Sequence, residues 1–448
     1  MSHVNARLSA ALATVLALGM PGQVAVADTM RFDNGCSSGK RLTIAFAGDI
    51  LFHRKLQVQA YSKGSSFKRF FKPVEGLLKA ADLAYGNLEG PAARGVSAGG
   101  RAVKDPGKRM GAVYGAPLKS LSFNFHPSVV GDLKTVGFDV LSSANNHSMD
   151  RGRLGVDRTI EAFREHKMPF TGTRKRGETP ARWSVVTRAK GFSVAWLACT
   201  FSTNGIPDPK KQVLHCYRQT EQILKEIRQL KADPKIDAVF LTPHWGEENW
   251  HRPGARQKKL GRQAIEAGAL AVFGAHPHVL QPWEKVTTKN GREGLIVYSA
   301  GNFISNQRRT AERAGILGLA QLVRTGKGKV RLAAAGYVPT WVVIDNKGHR
   351  ITVNTKTGGR EGEALSRTLG LLPEGNRMTG KAPFVFPTGC KGSKFVALTR
   401  PRADTYWVRN PKSPKSGSGQ HNRSWNRVFG KKRRSGKRKR RSRVRDSR

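Results

Sequence analysis

The chain has 448 residues, 38% of them hydrophobic, and carries 79 Lys and Arg against 31 Asp and Glu for a formal charge of +48. That length and apolar fraction support one large globular domain or two ordinary ones and exclude a wholly disordered chain. Four cysteines without a CxxC pair exclude a zinc knuckle or a thioredoxin-type redox centre.

The chain opens MSHVNARLSAALATVLALGM, with Arg7 in a weakly basic start, an apolar run over 8–20, the breakers Pro21 and Gly22, and the small triplet Ala25, Val26, Ala27. This is the layout of a cleavable secretory signal over 1–27, cut before Asp28. Its apolar run falls short of the ~20 residues that span a bilayer as a helix, which weighs against a retained anchor, and no later uncharged run reaches that length. Export agrees with the even cysteine set Cys36, Cys199, Cys216 and Cys390. Two disulfides are expected in an oxidising compartment, with all three pairings open.

A polar linker over 28–41 precedes the apolar run LTIAFA at 42–47, which reads as a buried strand ending at Gly48-Asp49. The same grammar recurs at 139–143 before Asn145-Asn146-His147, at 238–241 before His244, at 270–273 before His276-Pro277-His278, and at 295–298 before Gly301-Asn302. Between these runs, 156–165, 220–230 and 255–267 place apolar residues at helical spacing. Alternating strands and helices predict an α/β architecture, whose ligand sites gather at the carboxyl ends of the strands. The polar loops should therefore meet. Later strands around 330–334, 341–344 and 350–353 lie close together and predict a second, more antiparallel sheet packed on the first. The main domain is expected over 42–345, with an extension over 346–409 packed upon it. The tail over 410–448 ends KKRRSGKRKRRSRVRDSR, and like charges at that density predict disorder.

Asp49, Glu89 (within NLEGP), Asn146, His244, His276 and His278 are groups that divalent cations favour as ligands, each placed after a predicted strand in a turn containing Gly or Pro. On an extended segment, His276 and His278 would point the same way and approach one ion or an ion pair together. Asn146 offers an amide oxygen, and His147 beside it offers an imidazole free for proton transfer.

The order of these motifs resembles the CapA (PgsA) family of capsule and poly-γ-glutamate biosynthesis proteins, whose domain is similar to calcineurin-type metallophosphoesterases. The matching stretches are AGDILFHR at 47–54, NLEGP at 87–91, GFDVLSSANNHSMDRG at 137–152, PHWGEEN at 243–249, IEAGALAVFGAHPHVLQPWE at 265–284 and YSAGNFISNQ at 298–307, with YVPTW at 337–341 also familiar. The resemblance implies a four-layer α-β-β-α sandwich of metallophosphoesterase type with two divalent ions, manganese, zinc or iron, where the strands end. It implies Asp49 as a ligand of the first ion, Glu89 as the bridging carboxylate and Asn146 as a ligand of the second. His244, His276 and His278 would supply the imidazole ligands and His147 the general acid, with Arg54 and Glu248 as supporting or substrate-contacting groups. The sequence departs from a full metallophosphoesterase, which begins DxH: Leu51 stands two residues after Asp49, and the nearest histidine is His53. Asn249 and Asn306 also stand where many family members carry a tyrosine and an acid.

Sixteen Lys and Arg against one Asp lie from Pro411 onward, so the tail carries +15 and the remainder still carries about +33. A field of this sign draws polyanions, here an acidic polymer such as polyglutamate or an anionic envelope surface, with a polymer-synthase complex as a further expected partner. Base-reading motifs and interleaved aromatics are absent, so nucleic acid is not the expected ligand. Two readings follow: a metal-dependent hydrolase of phosphoesters acting in capsule polymer handling after export to the periplasm or medium, or a non-catalytic polyanion-binding envelope protein with a structural or vestigial metal site.

Overall fold

The structure, a computed structural model, describes residues 29–115, 121–178 and 183–387, and the backbone of 404–407. The expected signal over 1–27, Cys390 and the tail over 410–448 lie outside the described residues.

The first part of the chain builds one sheet and the helices that cover it. β1 (Arg41–Ile50), α1 (Arg54–Tyr61), α2 (Glu75–Ala80), β2 (Leu83–Leu88), α3 (Ser128–Val136), β3 (Val140–Ser142), α4 (Gly152–Glu165) and β4 (Phe170–Thr171) follow in order. Within it β1, β2, β3 and β4 lie side by side and parallel. The second sheet then forms from β5 (Ser184–Ala189), β6 (Phe192–Thr200), α5 (Thr220–Ala232), β7 (Ala238–His244), α6 (Ala255–Ala267), β8 (Ala271–Phe273), β9 (Leu280–Thr287) and β10 (Glu293–Ala300). Its strand order is β5-β6-β7-β8-β10-β9. The chain returns to the first sheet through β11 (Asn302–Ile304), α7 (Thr310–Arg313), β12 (Ala314–Arg324), β13 (Val330–Asp345) and β14 (Gly348–Val353), before α8 (Gly359–Leu371) and β15 (Asp404–Trp407), which pairs with β5.

The expectation of a separate antiparallel sheet from the late strands is corrected. The runs at 330–334 and 341–344 belong to the single strand β13, and β12, β13 and β14 extend the first sheet beyond β1, each antiparallel to the strand before it. Gly336 and Pro339 give the middle of β13 the look of a break in the sequence. Both keep the ladder register, Gly336 opposite Leu319 and Pro339 opposite Ile316. A β-carbon on Gly336 would come within 2.5 Å of the Met378 sulfur, so the glycine marks a close approach.

The sheets face each other through aromatic side chains. Phe46 of β1 stacks on Phe273 of β8 at 4.0 Å, and Tyr85 of β2 stacks on Trp196 of β6 at 5.5 Å. On the outer face of the first sheet, α4 buries Val156, Ile160 and Phe163, the three-and-four spacing read from its sequence. On the outer face of the second sheet, α5 buries Ile223, Ile227 and Leu230 while α6 buries Leu260, Ala264 and Ile265. The result is the expected four-layer α-β-β-α sandwich, held chiefly by apolar burial; truncating a ring such as Phe46 at its centre costs ~3–5 kcal/mol.

Two features aim the strand ends at one point. The Asp49 amide donates to the Gly301 carbonyl at 3.0 Å, and a β-carbon on Gly48 would sit 1.9 Å from that oxygen. Only glycine lets the segments approach so closely, and the approach sets Asp49 opposite both Asn87 and Asn302. In the second sheet a disulfide joins Cys199 and Cys216, while Thr200 and Cys216 share a backbone hydrogen bond of 2.8 Å. The intervening loop, 201–215, is thereby closed at its base beside His244, which lies opposite Thr200. Cys390, half of one expected pairing, lies outside the described residues.

Candidate metal centre

Asp49 is the next-to-last residue of β1 and His244 the last of β7, so neither lies in the following loop, whereas Glu89 directly follows β2. Asn146 and His147 lie in the turn after β3, and His276 and His278 in the loop after β8. The extended geometry expected for the HxH pair does not hold. His276 and His278 both adopt positive φ, 100° and 59°, which bends the chain sharply and sets their ring centres 5.9 Å apart. Left-handed backbone at a β-substituted residue costs of order 1–3 kcal/mol, and such strain persists where the surroundings enforce it. Here the His276 amide donates to Asp49 Oδ2 at 3.1 Å, and the Asn249 amide donates to the Pro277 carbonyl at 2.8 Å.

The expected ligands converge. His278 Nδ1 lies 3.1 Å from Asp49 Oδ2 and 3.0 Å from Asn302 Oδ1. His244 Nε2 lies 2.9 Å from Asn146 Oδ1 and 3.1 Å from His276 Nδ1. Glu89 stands between these groups, with Oε1 3.5 Å from His244 Nε2 and 3.7 Å from His278 Nε2. Glu89, His276 and His278 offer ligand atoms that all lie within 4.8 Å of one another. All six groups are buried, and Asp49 and Glu89 fully so.

Glu89 is the anomaly. Both of its carboxylate oxygens are buried without a hydrogen-bond donor. A buried carboxylate left so is strongly disfavoured, since neither water nor a fixed dipole replaces its hydration. Two empty acceptor atoms amid imidazoles and an amide oxygen fit a divalent cation, which accepts this mixture of oxygen and nitrogen donors.

The electrostatics of the ion-free protein fit as well. Burial pushes the Glu89 carboxyl well above its ordinary range, against the opposing pull of His278. Burial works against charge on His278, but Glu89 and Asp49 outweigh it and raise its pKa to about 10. His244 and His276 are held well below the usual imidazole value by burial and by neighbouring rings. One imidazolium thus balances the acids while two neutral rings keep lone pairs available. A divalent cation would take over the balancing charge and displace the His278 proton.

His147 is held differently. Its Nδ1 lies 2.9 Å from Asp150 Oδ2, which also accepts the Phe123 amide at 2.6 Å, and its ring packs edge-on against Phe123. With Nδ1 engaged, Nε2 is the nitrogen that can exchange a proton with a ligand. Glu248 is exposed, close enough to act electrostatically on Glu89 and His278. Arg54 is exposed at the start of α1 and, among the described residues, has no hydrogen bond to the cluster. Leu51 is buried in the core and contributes no ligand atom. His53 sits nearby, its Nδ1 accepting the Asn306 amide at 3.3 Å, and its pKa is depressed to about 4 by burial and then by the charge on His278.

Several supporting residues escaped the reading of the sequence. Asn87 donates to Asp49 Oδ1 at 2.8 Å and lies 3.1 Å from His244 Nδ1, bridging the two sheets. Its place two residues before Glu89 was the available signal, because alternate residues share a face as a strand ends. Asp150, three residues after His147, was equally visible. Phe201, whose ring lies 4.4 Å from that of His276, and Asn204, which accepts from Asn146 at 3.2 Å, come from the disulfide-closed loop and carried no signal.

A four-layer α/β sandwich with carboxylates, amides and imidazoles gathered at its strand ends defines an α/β protein with a candidate divalent-metal centre. More narrowly, the chain belongs to the bacterial capsule synthesis protein PGA_cap family, whose profile matches residues 43–307. It is 30% identical over 272 residues to the capsule biosynthesis protein CapA of Bacillus anthracis, a match covering 60% of this chain and 61% of that protein. It is 29% identical over 301 residues to the PGA biosynthesis protein CapA of Bacillus subtilis (strain 168), covering 64% and 70% respectively. The chain therefore spans less than two thirds of the length of the Bacillus anthracis relative. Among solved structures, purple acid phosphatase PPD1 from yellow lupin aligns over 68% of this chain and 52% of its own at 10% identity and a TM-score of 0.26. Thermus sulfate thiohydrolase SoxB aligns over 55% and 39% at 16% identity and a TM-score of 0.29. Superpositions this loose carry no weight for the site, and the four-layer arrangement rests on the strand order itself.

Proposed function

We propose that this protein is an exported member of the capsule polymer machinery that acts as a metal-dependent hydrolase on a phosphoester-type bond. The observation that carries the proposal is the pair of donorless, buried Glu89 oxygens facing three imidazoles. Asp49 and His278 would hold one divalent ion, Asn146, His244 and His276 a second, with Glu89 shared. Manganese, zinc or iron suits such donors. A bound pair of ions supplies electrophilic activation of a substrate oxygen and acidifies a water.

The remaining work falls to the chain's own residues. Asp150 fixes the His147 ring through Nδ1, so that His147 presents the proton on Nε2 to the leaving oxygen. Asn87 and the His276 amide orient Asp49 through opposite carboxylate oxygens. Arg54 and Glu248, both exposed, would meet the substrate. Export by cleavage of 1–27 to the periplasm or medium is supported by the Cys199–Cys216 disulfide, a bond typical of oxidising compartments. Among the described residues, no helix is long and apolar enough to cross a membrane.

The test is metal content together with turnover of a generic phosphoester, in purified protein supplied with manganese or zinc. One or two equivalents of metal, lost in Glu89→Gln and His276→Ala, and activity lost in His147→Ala with metal retained, are the expected results. A metal-loaded protein inert toward phosphoesters would overturn catalysis. Leu51, apolar and buried two residues beyond Asp49, favours a second reading: a polyanion-binding envelope protein that works with a polymer synthase and retains polyglutamate in the presence of chelator.

A further inference from the structure

At the amino-terminal end of β7, opposite the metal cluster, lies an open cavity of about 670 Å³. Its wall is formed by the turn between α5 and β7, the turn between β9 and β10, and the hairpin joining β12 to β13. Five of its lining residues are cations: Lys231, Arg292, Arg324, Lys329 and Arg331. Asp237 is occupied already, with Oδ1 2.8 Å from Arg324 and Oδ2 accepting the Ser193 amide at 2.8 Å. Asp233, the other acid of the wall, accepts from the Lys235 amide within its own turn.

Two of the cations are structural. Arg292 is buried and donates to the Ala269 carbonyl at 2.7 Å and to the Ile265 carbonyl, closing the carboxyl end of α6. Arg324 lies over the Phe192 ring at 4.8 Å. They fix the shape of the wall. Lys231, Lys329 and Arg331 have no acidic partner among the described ion pairs. Burial and the nearby charges of Arg331 and Arg292 depress the Lys231 ammonium, so these cations repel one another across the cavity. An anion placed among them relieves that repulsion and gains charge-assisted hydrogen bonds.

We propose that this basin is a second binding site, taking a run of carboxylates of an acidic polymer. The cavity is large for a lone anion, and its unpaired charges come from two separate segments, Lys231 from the last turn of α5 and Lys329 and Arg331 from the β12–β13 hairpin, as a chain carrying an anion on every unit requires. The assignment of carboxylate builds on the capsule-polymer role proposed above, whereas the basin's anion preference stands on its lining alone. From Asp237 to His244 is seven residues of β7, or roughly 23 Å of strand. The basin thus adjoins the start of the strand whose last residue, His244, is a candidate metal ligand.

The experiment is equilibrium binding of fluorescently labelled poly-γ-glutamate to the full chain at fixed salt, with chelator present, and with inorganic polyphosphate and neutral dextran as alternative probes. Lys231→Glu with Lys329→Glu is expected to weaken polyglutamate binding about tenfold or more, losing two charge-assisted contacts. Lys63→Glu with Lys72→Glu makes the same charge change on exposed lysines outside the basin and should cost less than about twofold by screened long-range attraction alone. Lys329→Glu by itself, in an exposed hairpin, should give a smaller loss in the same direction and guards against a folding defect in the double variant. Equal losses in the two double variants overturn the basin while leaving the polymer role standing. Failure of the wild-type chain to bind polyglutamate overturns the polymer role as well. Basin-dependent binding of polyphosphate in preference to polyglutamate overturns the carboxylate assignment.

Discussion

The two ends of β7 solve opposite electrostatic problems. At its carboxyl end His244 enters a buried cluster of two acids and three imidazoles, closed by Asn87, Asn146 and Asn302. At its amino end Asp237 borders an open basin where five cations crowd together. The buried end tolerates little uncompensated charge, so its donors suit an ion of defined charge and coordination. The open end is screened by solvent and holds excess charge at small cost, so it suits an extended chain of carboxylates rather than a single ion.

The contrast can be broken most directly at Glu89. Glu89→Gln keeps the shape but removes the shared carboxylate, and metal content should fall from stoichiometric to near zero by elemental analysis, with phosphoester hydrolysis lost alongside. His147→Ala should leave metal in place and lower turnover by about 10²–10⁴-fold, the span of general acid catalysis. Asp150→Asn, which weakens the hold on the His147 ring, should produce a smaller fall and a shifted pH profile. The charge reversals in the basin come next, at about tenfold in polymer binding with metal content unchanged.

The smallest effect is on stability against pH in chelator. His244 and His276 have depressed pKa values in the fold, as do His53, His126 and His349 at about 4, so their contribution is full above the unfolded value near 6.5 and declines as pH falls below it. His278 has the opposite sign. Raised to about 10, it contributes fully below about 6.5 and loses that contribution as pH rises toward 10. The thermal midpoint in chelator should therefore be highest near neutral pH, with the decline between about 6.5 and 10 reduced in His278→Ala and a remaining loss of the same sign from Glu89, which is also raised in the fold. Metal affinity should strengthen with rising pH as the His278 proton leaves more readily, and titrating metal into unbuffered protein should release protons.

How much of this was legible follows from what the sequence encodes locally. Strands that end in Asp49, Glu89, Asn146, His244 and His276 announce themselves, because an apolar run followed by a polar turn is a local pattern. The helices 156–165 and 255–267 were equally plain, since their buried positions repeat at three and four. Sheet membership was not: nothing local in β13 says that it continues the sheet of β1, because a partner strand is chosen by distant packing. The backbone of the HxH segment was misread for a related reason. Its left-handed turns are imposed by Asp49 and by the loop carrying Asn249, both far away in sequence. Phe201 and Asn204 reach the site through a loop placed by the Cys199–Cys216 bond and by the Phe201 amide donating to the His244 carbonyl at 2.9 Å, neither of which is a local pattern.

The Cys199–Cys216 bond ties the candidate metal cluster to the redox state of the chain's thiols. It closes the loop bearing Phe201 over His276 and Asn204 against Asn146. Closing a loop of this size restricts the unfolded chain by about 3 kcal/mol, so the bond favours the folded arrangement in which that loop covers the cluster. Reduction of Cys199–Cys216 is therefore expected to weaken metal uptake in the full chain, a loss that elemental analysis with and without reductant would read.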